Sequence, residues 1–479
     1  MATSPFVASF PHRPRVQAGE RSVGAAGRGM PPVVCGASGG RRCQVAPRRV
    51  WRGGGGEDGG MSVDTRQRLV ERFLRYSAIS SQSDASVTAV PTSPGQWRLA
   101  ELLRDELATM GASDVHLSQT ACVTARVPAR LPEGHAPVPA IGFCAHLDTV
   151  DVDLSPEVHA HVVTHDGGDV RLHPERDAWI RRDEHPELDA YVGDDLLVGD
   201  GTSVLGADDK AAIAAVMEAV VRLLADDPLV HGDVYVAFVP DEEIGLRGVR
   251  TLDLARFPVR YAYTIDCCEV GELVAETFNA ASATVRITGV SAHPMSAKGI
   301  LVNPVLVALD VVARLDREQT PERTEGREGF VWVTDLHGNQ STAEIDLSIR
   351  DHDRNGFAAK KRALLAAVEE TRRQHPRAVI EVEIVDVYGN IADALTDENR
   401  VAVDHLHKAM ATLGVEPRPL AMRGGTDGSW LSQQGILTPN FFTGAHNFHG
   451  PAEFLPLSSF EKSHAMVLEL VRQAADAGE

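Results

Sequence analysis

Residues 140–149 of the chain read AIGFCAHLDT, a continuous apolar run that gives way to polar side chains. An uninterrupted apolar run of this length is typical of a strand that is buried on both faces, as in parallel sheets. The predicted strand covers residues 140–145, which places His146 and Asp148 at its carboxyl end.

Two further predicted strands also end in acidic residues. Residues 234–239 (VYVAFV) are followed by PDEE at 240–243, and residues 261–265 (YAYTI) are followed by Asp266. Helical spacing of apolar residues after GADDK at 206–210 predicts a helix between the first two strands. This alternation predicts an α/β fold with a mixed, mostly parallel sheet flanked by helices. Ligands bind beyond the carboxyl ends of the strands in such sheets.

The pair Asp208-Asp209 is expected in the first turn of that helix. Adjacent carboxylates at this position fit a helix cap that complements the helix dipole. They also fit a metal site, because two neighbouring carboxylates repel each other and need a positive charge nearby. Lys210 is one source of that charge, and a metal ion is another.

Residues 278–387 follow a different pattern, with predicted elements in the order β-α-β-β-α-β. This order is that of a ferredoxin-like α+β domain, here inserted into the larger one. The predicted organisation therefore has three parts after the N-terminal segment: residues 61–277 and 388–479 as the two parts of a catalytic domain, and residues 278–387 as an inserted lid.

The composition limits the classes of function. Hydrophobic residues make up 43% and charged residues 24% of the 479 residues, as in soluble globular proteins. The absence of an apolar run of eighteen residues argues against a membrane span, and the net charge of -20 argues against a nucleic-acid partner. Six cysteines without C-x-x-C spacing indicate reduced thiols and a cytoplasmic location.

Residues 1–60 differ in kind, with nine arginines, no lysine and three acidic residues. No apolar segment of the secretory type follows the early arginines. The composition fits an organelle transit peptide, or upstream sequence translated from a start codon placed before Met61. The second interpretation is favoured, because an amphipathic helix is predicted directly after Met61.

The ends of the predicted core strands and their loops carry donors that suit zinc, which binds imidazole nitrogen and carboxylate oxygen. Two metals about 3.5–4 Å apart need a bridging ligand, and a carboxylate has two oxygens for that purpose. Asp208 is the predicted bridge, Glu242 the base, and Asp148 the acceptor of the second ring N–H of His146. The predicted metal ligands are His146, Asp208, Glu243, Asp266 and His449.

Each of these signals has a common structural explanation when it is taken alone. A histidine at a strand end is often a satisfied core or loop residue, a Glu-Glu pair is often a solvated charge run, and His293 before a proline fits a turn. Their combination at successive strand ends favours the metal site.

The motifs resemble those of the peptidase T family, tripeptide aminopeptidases in a dizinc peptidase group that also holds carboxypeptidases, dipeptidases and aminoacylases. The resemblance extends from about Met61 to the C terminus and is carried by the following motifs: HLDT (146–149), GADDK (206–210), PDEE (240–243), YTID (263–266), ETFNAAS (276–282), AKG (297–299), RGGTDG (423–428) and NFHG (447–450).

The resemblance implies two zinc ions per subunit, with these ligands: His146 and Asp266 on one ion, Glu243 and His449 on the other, and Asp208 on both. It also implies that Glu242 accepts a proton and that Asp148 is the active-site aspartate beside the metal. His293 is implied to stabilise the developing oxyanion, and Arg350 or Arg423 to hold a substrate carboxylate.

The sequence departs from the family pattern at residues 151–200, predicted as a long loop or small outlying hairpin. It departs again at Cys267-Cys268, where the family tends to have glycines. Cysteines so near a zinc site would perturb it or make it sensitive to oxidants.

The expected function is that of a cytoplasmic dizinc aminopeptidase that releases the N-terminal residue of tripeptides by attack of metal-bound hydroxide. The inserted domain is expected to close over the site and, by analogy with relatives, to form a homodimer. A related dipeptidase, carboxypeptidase or N-acyl amino acid deacylase is an alternative, since these enzymes share the metal motifs. A protein that binds peptide or stores metal on the same fold, without catalysis, is another.

Overall fold

A computed structural model describes residues 63–226 and 229–476 of the chain. The prediction about residues 1–60 therefore lies outside the described residues. Among the helices of the two described ranges, none combines the length and the apolar character that a membrane span requires.

The described residues form eight α-helices and seventeen strands. The helices are α1 (Val63–Ser77), α2 (Pro94–Met110), α3 (Ala207–Leu223), α4 (Pro304–Val312), α5 (Arg354–Gln374), α6 (Val401–Thr412), α7 (Asp427–Gln433) and α8 (Leu457–Asp476). The strands are β1 (Ser113–Leu117), β2 (Val123–Val127), β3 (Ile141–His146), β4 (His161–Thr164), β5 (Val170–Arg171), β6 (Trp179–Ile180), β7 (Asp195–Val198), β8 (Val234–Val239), β9 (Tyr261–Cys267), β10 (Glu272–Thr277), β11 (Asn279–Thr288), β12 (Phe330–Gly338), β13 (Thr342–Asp351), β14 (Val379–Tyr388), β15 (Arg418–Met422), β16 (Asn440–Phe442) and β17 (Phe454–Pro456).

The core is an eight-stranded mixed sheet in the order β1-β2-β8-β3-β9-β16-β10-β15. Its centre is parallel, because β3 pairs in parallel with both β8 and β9, and β9 pairs in parallel with β16. The first two strands and the β10–β16 pair are antiparallel. The α/β fold with a mixed sheet is thus confirmed, and the carboxyl ends of β3, β8 and β9 meet at one edge.

Helices cover both faces of this sheet, and β3 shows why its sequence has no polar interruption. Ile141, Phe143 and Ala145 belong to a core cluster shared with α1, α2, α3, α6 and α8. Cys144 belongs to a second cluster on the opposite face, together with Phe257. A Cβ atom at Gly142 would lie 2.3 Å from the Phe257 ring, so this position has room for glycine only.

The inserted segment forms a separate four-stranded antiparallel sheet in the order β12-β13-β11-β14, with α4 and α5 packed on it. The elements follow the predicted β-α-β-β-α-β order, with longer strands than predicted. The chain enters this sheet through Phe278 and leaves it after Tyr388. The predicted boundaries at 278 and 387 stay a prediction.

Residues 151–200 are more ordered than a loop or an outlying hairpin. They contain β4 to β7, and β7 pairs antiparallel with both β4 and β17. The physical reason is the run Leu196-Leu197-Val198, whose side chains are fully buried. This pairing supports the C-terminal segment that follows His449.

Candidate functional site

The carboxyl edge of the parallel strands brings together the five predicted metal ligands. His146 ends β3 and Asp266 is the penultimate residue of β9, while Glu243 follows β8 in the next loop. Asp208 lies in the non-helical first turn of α3, and His449 lies in the loop after β16. The chain returns to this edge repeatedly because the parallel neighbours in the sheet are about 90 to 180 residues apart in the sequence.

Asp208 joins two groups of side chains whose ligand atoms lie within 4.8 Å of one another: His146, Asp208 and Asp266 in one, and Asp208, Glu243 and His449 in the other. Asp208 Oδ1 is 2.7 Å from His146 Nε2, and its Oδ2 is 2.9 Å from His449 Nε2. The two oxygens of one carboxylate thus face two different histidines. This is the arrangement that a bridging ligand requires.

The turn that carries Asp208 is not the helical turn that the sequence predicts. Gly206 has φ +74°, and Asp208 (φ -80°, ψ 101°) and Asp209 (φ -122°, ψ 24°) are outside the helical region, with a cis peptide bond between them. Neither aspartate caps the helix with its side chain. Asp209 instead accepts a hydrogen bond from the backbone N–H of His146 (3.1 Å), which fixes the end of β3 against this turn.

Asp148 connects the end of β3 to the loop after β8. Its two carboxylate oxygens accept hydrogen bonds from the backbone N–H groups of Glu242 (3.0 Å) and Glu243 (3.2 Å). Its backbone carbonyl accepts from Nδ1 of His146 (3.1 Å), while the carboxylate oxygen lies further away at 3.4 Å. A hydrogen at Nδ1 leaves Nε2 of His146 free to face Asp208 as a ligand atom.

Asp241 anchors the same loop through a second set of hydrogen bonds. It has φ +55° and is fully buried. Its carboxylate accepts from the backbone and hydroxyl of Thr92 and from Gln96 Nε2 (2.7 Å), and Gln96 Oε1 accepts from the Asp241 backbone (3.0 Å). Glu242 and Glu243 are therefore presented by a loop that is anchored on both sides.

Burial and mutual repulsion dominate the electrostatics of the site. Burial raises the pKa values of Glu242 and Asp266 well above their usual range, and further carboxylates nearby add to the effect. Burial lowers the pKa of His449, but the neighbouring carboxylates of Asp208 and Glu243 outweigh it and raise the pKa to about 11. Burial also opposes ionisation of Asp208, yet its contacts with the two histidines lower its pKa.

The donor set fits metal ions. Glu243 Oε1 is buried and has no hydrogen-bond partner among the described residues, although it lies 3.0 Å from His449 Nε2. Asp208 Oδ2 lies 2.9 Å from the same nitrogen, so two carboxylate oxygens face one ring nitrogen. Imidazole nitrogens and an excess of buried carboxylates are the ligands that zinc binds, and its charge would offset their repulsion.

A cavity of about 570 Å³ opens onto both groups. Glu242 lies in its wall, and the wall also has apolar side chains, among them Val274, Leu420, Met422 and Phe448. The volume is of the size that takes a small ligand.

Comparison with known proteins places this site in a family. The model of peptidase family M20/M25/M40 matches residues 194–473. A Peptidase T-like protein of Yersinia pestis is 50% identical over 417 residues, which are 87% of this chain and 100% of the relative. This chain belongs to peptidase family M20/M25/M40.

Two further proteins extend the comparison. Peptidase T of Aeromonas hydrophila is 43% identical over 404 residues, 84% of this chain and 98% of the relative. The crystal structure of a tripeptidase from Staphylococcus aureus has the same fold, with a TM-score of 0.67 at 20% identity over 86% of this chain and 99% of that one.

The three side chains predicted to bind substrate do not all lie at the cavity, in contrast to the group of metal ligands. His293 and Arg350 do not line the cavity among the described residues. The Nδ1 atom of His293 accepts from the backbone of Met295 (3.2 Å), and Arg350 donates to the hydroxyl of Tyr388. Their predicted roles stay predictions.

Arg423 lines the cavity, but its guanidinium group is already engaged. It donates to the carbonyls of Gly326 (3.2 Å) and Glu328 (2.8 Å) and to the hydroxyl of Thr324 (2.7 Å) in the inserted segment. The group also lies near the rings of Phe278 and Phe330, 5.3 and 5.4 Å from their centroids. These contacts tie the inserted sheet to the core beside the cavity.

Three further buried groups near the site are not among the predicted site residues. Asp427, at the start of α7, has a pKa that burial raises to about 7, and one of its oxygens lacks a partner among the described residues. Lys210 is fully buried, and its Nζ likewise has no hydrogen-bond partner in the described part of the chain. Glu453 is considered below. All three lie in or beside the quoted motifs, but their burial was not readable from the sequence.

Proposed function

We propose that this protein is a dizinc aminopeptidase that releases the N-terminal residue of tripeptides. The observation that carries the proposal is the double group of ligands around Asp208, which borders a cavity of about 570 Å³. The names of the relatives support the substrate class, since one is Peptidase T and another is a tripeptidase.

The residues fit two zinc ions: His146 and Asp266 would hold one, Glu243 and His449 would hold the other, and Asp208 would bind both. Zinc bound in this way would supply a water nucleophile of lowered pKa and would polarise the peptide carbonyl. The protein contributes the fixed orientation of these side chains, through Asp148 on one side of the loop and Asp241 on the other.

Glu242 is proposed as the general base and acid. It lies in the cavity wall, is buried, and its backbone is held by Asp148. A carboxyl group whose pKa is raised toward neutrality accepts a proton from water and returns it to the leaving amine more readily than an ordinary glutamate. Its environment, with burial first and the charge of Asp266 second, raises the pKa in that direction.

The inserted sheet is proposed as a lid that limits peptide length, and as the surface through which two subunits form a homodimer. Arg423 supports the lid role, because it links this sheet to the cavity wall. The exposed side chains of Leu306 (57%) and Leu309 (48%) on α4 support association. A cytoplasmic location is proposed because Cys144 and Cys267 are free, buried thiols.

A peptide panel tests the proposal. Di-, tri- and tetrapeptides with free and acetylated ends are incubated with the zinc-loaded protein, with and without a chelator, and the released residues are identified. We expect release of the N-terminal residue from free tripeptides and its loss with chelator. Preferred cleavage of dipeptides, C-terminal release or deacylation would assign one of the related hydrolases, and no turnover of any peptide would indicate a binding protein.

A further inference from the structure

Glu453 is a buried acid that the proposed chemistry does not use. Its side chain is 1% exposed, yet no cation forms a salt bridge with it among the described residues. Its carboxylate accepts four backbone hydrogen bonds instead. Oε2 accepts from Leu205 (2.7 Å) and Gly206 (3.0 Å), and Oε1 accepts from Ala207 (2.8 Å) and Asp208 (3.3 Å).

These four N–H groups belong to the turn that presents Asp208. The turn precedes the regular part of α3, so its N–H groups have no carbonyl partners within the helix. Buried N–H groups without an acceptor are costly, and a turn with φ +74° at Gly206 and non-helical angles at Asp208 has several. Glu453 satisfies all four with a single side chain.

Neighbouring side chains lie close to this turn at Gly206. A Cβ atom at Gly206 would lie 3.0 Å from Thr149 Cγ2 and 3.5 Å from Lys210 Nζ. The buried ammonium of Lys210 thus lies directly beneath the turn, where its positive charge faces Asp148, Glu453 and Asp208.

Glu453 is itself fixed by the segment that carries His449. His446 and Phe454 exchange backbone hydrogen bonds of 2.9 and 3.2 Å, which close the intervening residues into a loop. The strand β17 that follows pairs with β7. His449, with φ +64°, is held in this loop four residues before Glu453. One short loop therefore carries a metal-ligand side chain and the carboxylate that holds the Asp208 turn.

We propose that Glu453 is a positioning residue for the metal centre: it fixes the turn 205–208 so that the two oxygens of Asp208 face the two groups of ligands. The inference rests on the proposed two-metal function. It makes Glu453 responsible for metal affinity through the backbone, without contact to metal or substrate.

The substitution Glu453→Gln tests this role at nearly constant volume. The amide keeps one oxygen but turns its NH2 group toward two backbone N–H groups, which places donors against donors. Glu453→Asp keeps the charge but shortens the side chain by one methylene group. Glu218→Gln is the matched control, because Glu218 is also 1% exposed, lies on α3, and binds Arg68 (2.7 Å) and Arg72 (3.3 Å) away from the site.

The metal-free proteins are titrated with Zn²⁺, and bound zinc per chain is measured. We expect two ions in the wild type and a dissociation constant about 10–100-fold higher for at least one ion in Glu453→Gln, the usual effect of losing a supporting contact. Glu453→Asp should lie between, and its Co²⁺ absorption spectrum should change. Glu218→Gln should lower the thermal midpoint and leave zinc affinity and the Co²⁺ spectrum unchanged.

Wild-type zinc affinity in a folded Glu453→Gln protein would overturn the inference, whereas fewer than two ions in the wild type would refute the proposed function instead. If Glu453→Gln does not fold, two other measurements test whether Glu453 holds the turn. One is the zinc affinity of Glu453→Asp, and the other is amide hydrogen exchange in the metal-free wild type. The amides of residues 205–208 should exchange as slowly as those in the middle of α3. Fast exchange there would show that Glu453 does not hold the turn.

Discussion

Replacing Asp148 by asparagine should slow turnover while the metal ligands stay in place. The carboxylate accepts from the backbone N–H groups of Glu242 (3.0 Å) and Glu243 (3.2 Å). An asparagine oxygen can keep one of these bonds, but its NH2 group then faces the other N–H. The contact of His146 Nδ1 with the backbone carbonyl of residue 148 is unaffected by the change.

The size of the effect follows from the lost hydrogen bond. A hydrogen bond to a charged group contributes about 1.5–3 kcal/mol, and this site is fully buried. If that energy orients Glu242 in the transition state, kcat/KM for a tripeptide should fall by roughly 10- to 150-fold, at about 1.36 kcal/mol per factor of ten.

Steady-state kinetics at saturating zinc, with bound zinc measured in the same samples, provide the assay. Asp194→Asn is the matched control, because Asp194 also accepts from two backbone N–H groups, those of Asp195 (2.9 Å) and Ser458 (3.1 Å). The control should keep wild-type kinetics. Activity of Asp148→Asn within twofold of the wild type would refute the argument that this carboxylate positions the loop.

Three further predictions concern single side chains. Glu242→Ala should retain zinc and lose at least about 10²–10⁴-fold in kcat, and normal turnover would rule out its role as base. Asp208→Ala should lose metal occupancy, and full occupancy by elemental analysis would count against a bridge. Burial lowers the pKa of His464 in the folded chain. As the pH falls below about 6.5, the unfolded chain therefore takes up a proton at this histidine that the folded chain does not. The free energy of unfolding should decline over that range. Urea titrations of His464→Asn should show a smaller decline, and an unchanged one would contradict this account.

The strands and their polar ends were predictable because both signals are local. An apolar run such as 140–145 is buried whatever its neighbours are, and parallel strands place their carboxyl ends together. The predicted ligands His146, Glu243 and Asp266 therefore meet in the structure, although their role as ligands stays a prediction. The order of elements in the inserted segment was readable for the same reason.

Other features depend on partners that are distant in the sequence. The strand β7 pairs with β17, about 260 residues later, and short strands of this kind have no local signal. Asp208 follows a helix-start pattern, but the carboxylate of Glu453 and the positive φ of Gly206 override the helical geometry. The glycine-rich motif around Arg423 does not reveal which groups its guanidinium binds. Its hydrogen-bond acceptors lie about 100 residues earlier, in the inserted segment.

The position of the loop that carries His449 and Glu453 affects when the centre is completed during synthesis. A ribosome extends the chain from its N terminus, so the parallel strands that carry His146 and Asp266 are made long before this loop. Until the loop docks, the N–H groups of the turn at 205–208 lack the carboxylate of Glu453 as their acceptor, and the ligand His449 is not in place. On the proposed assignment, metal loading belongs to the last stage of folding, and zinc uptake reports that the C-terminal segment is in place.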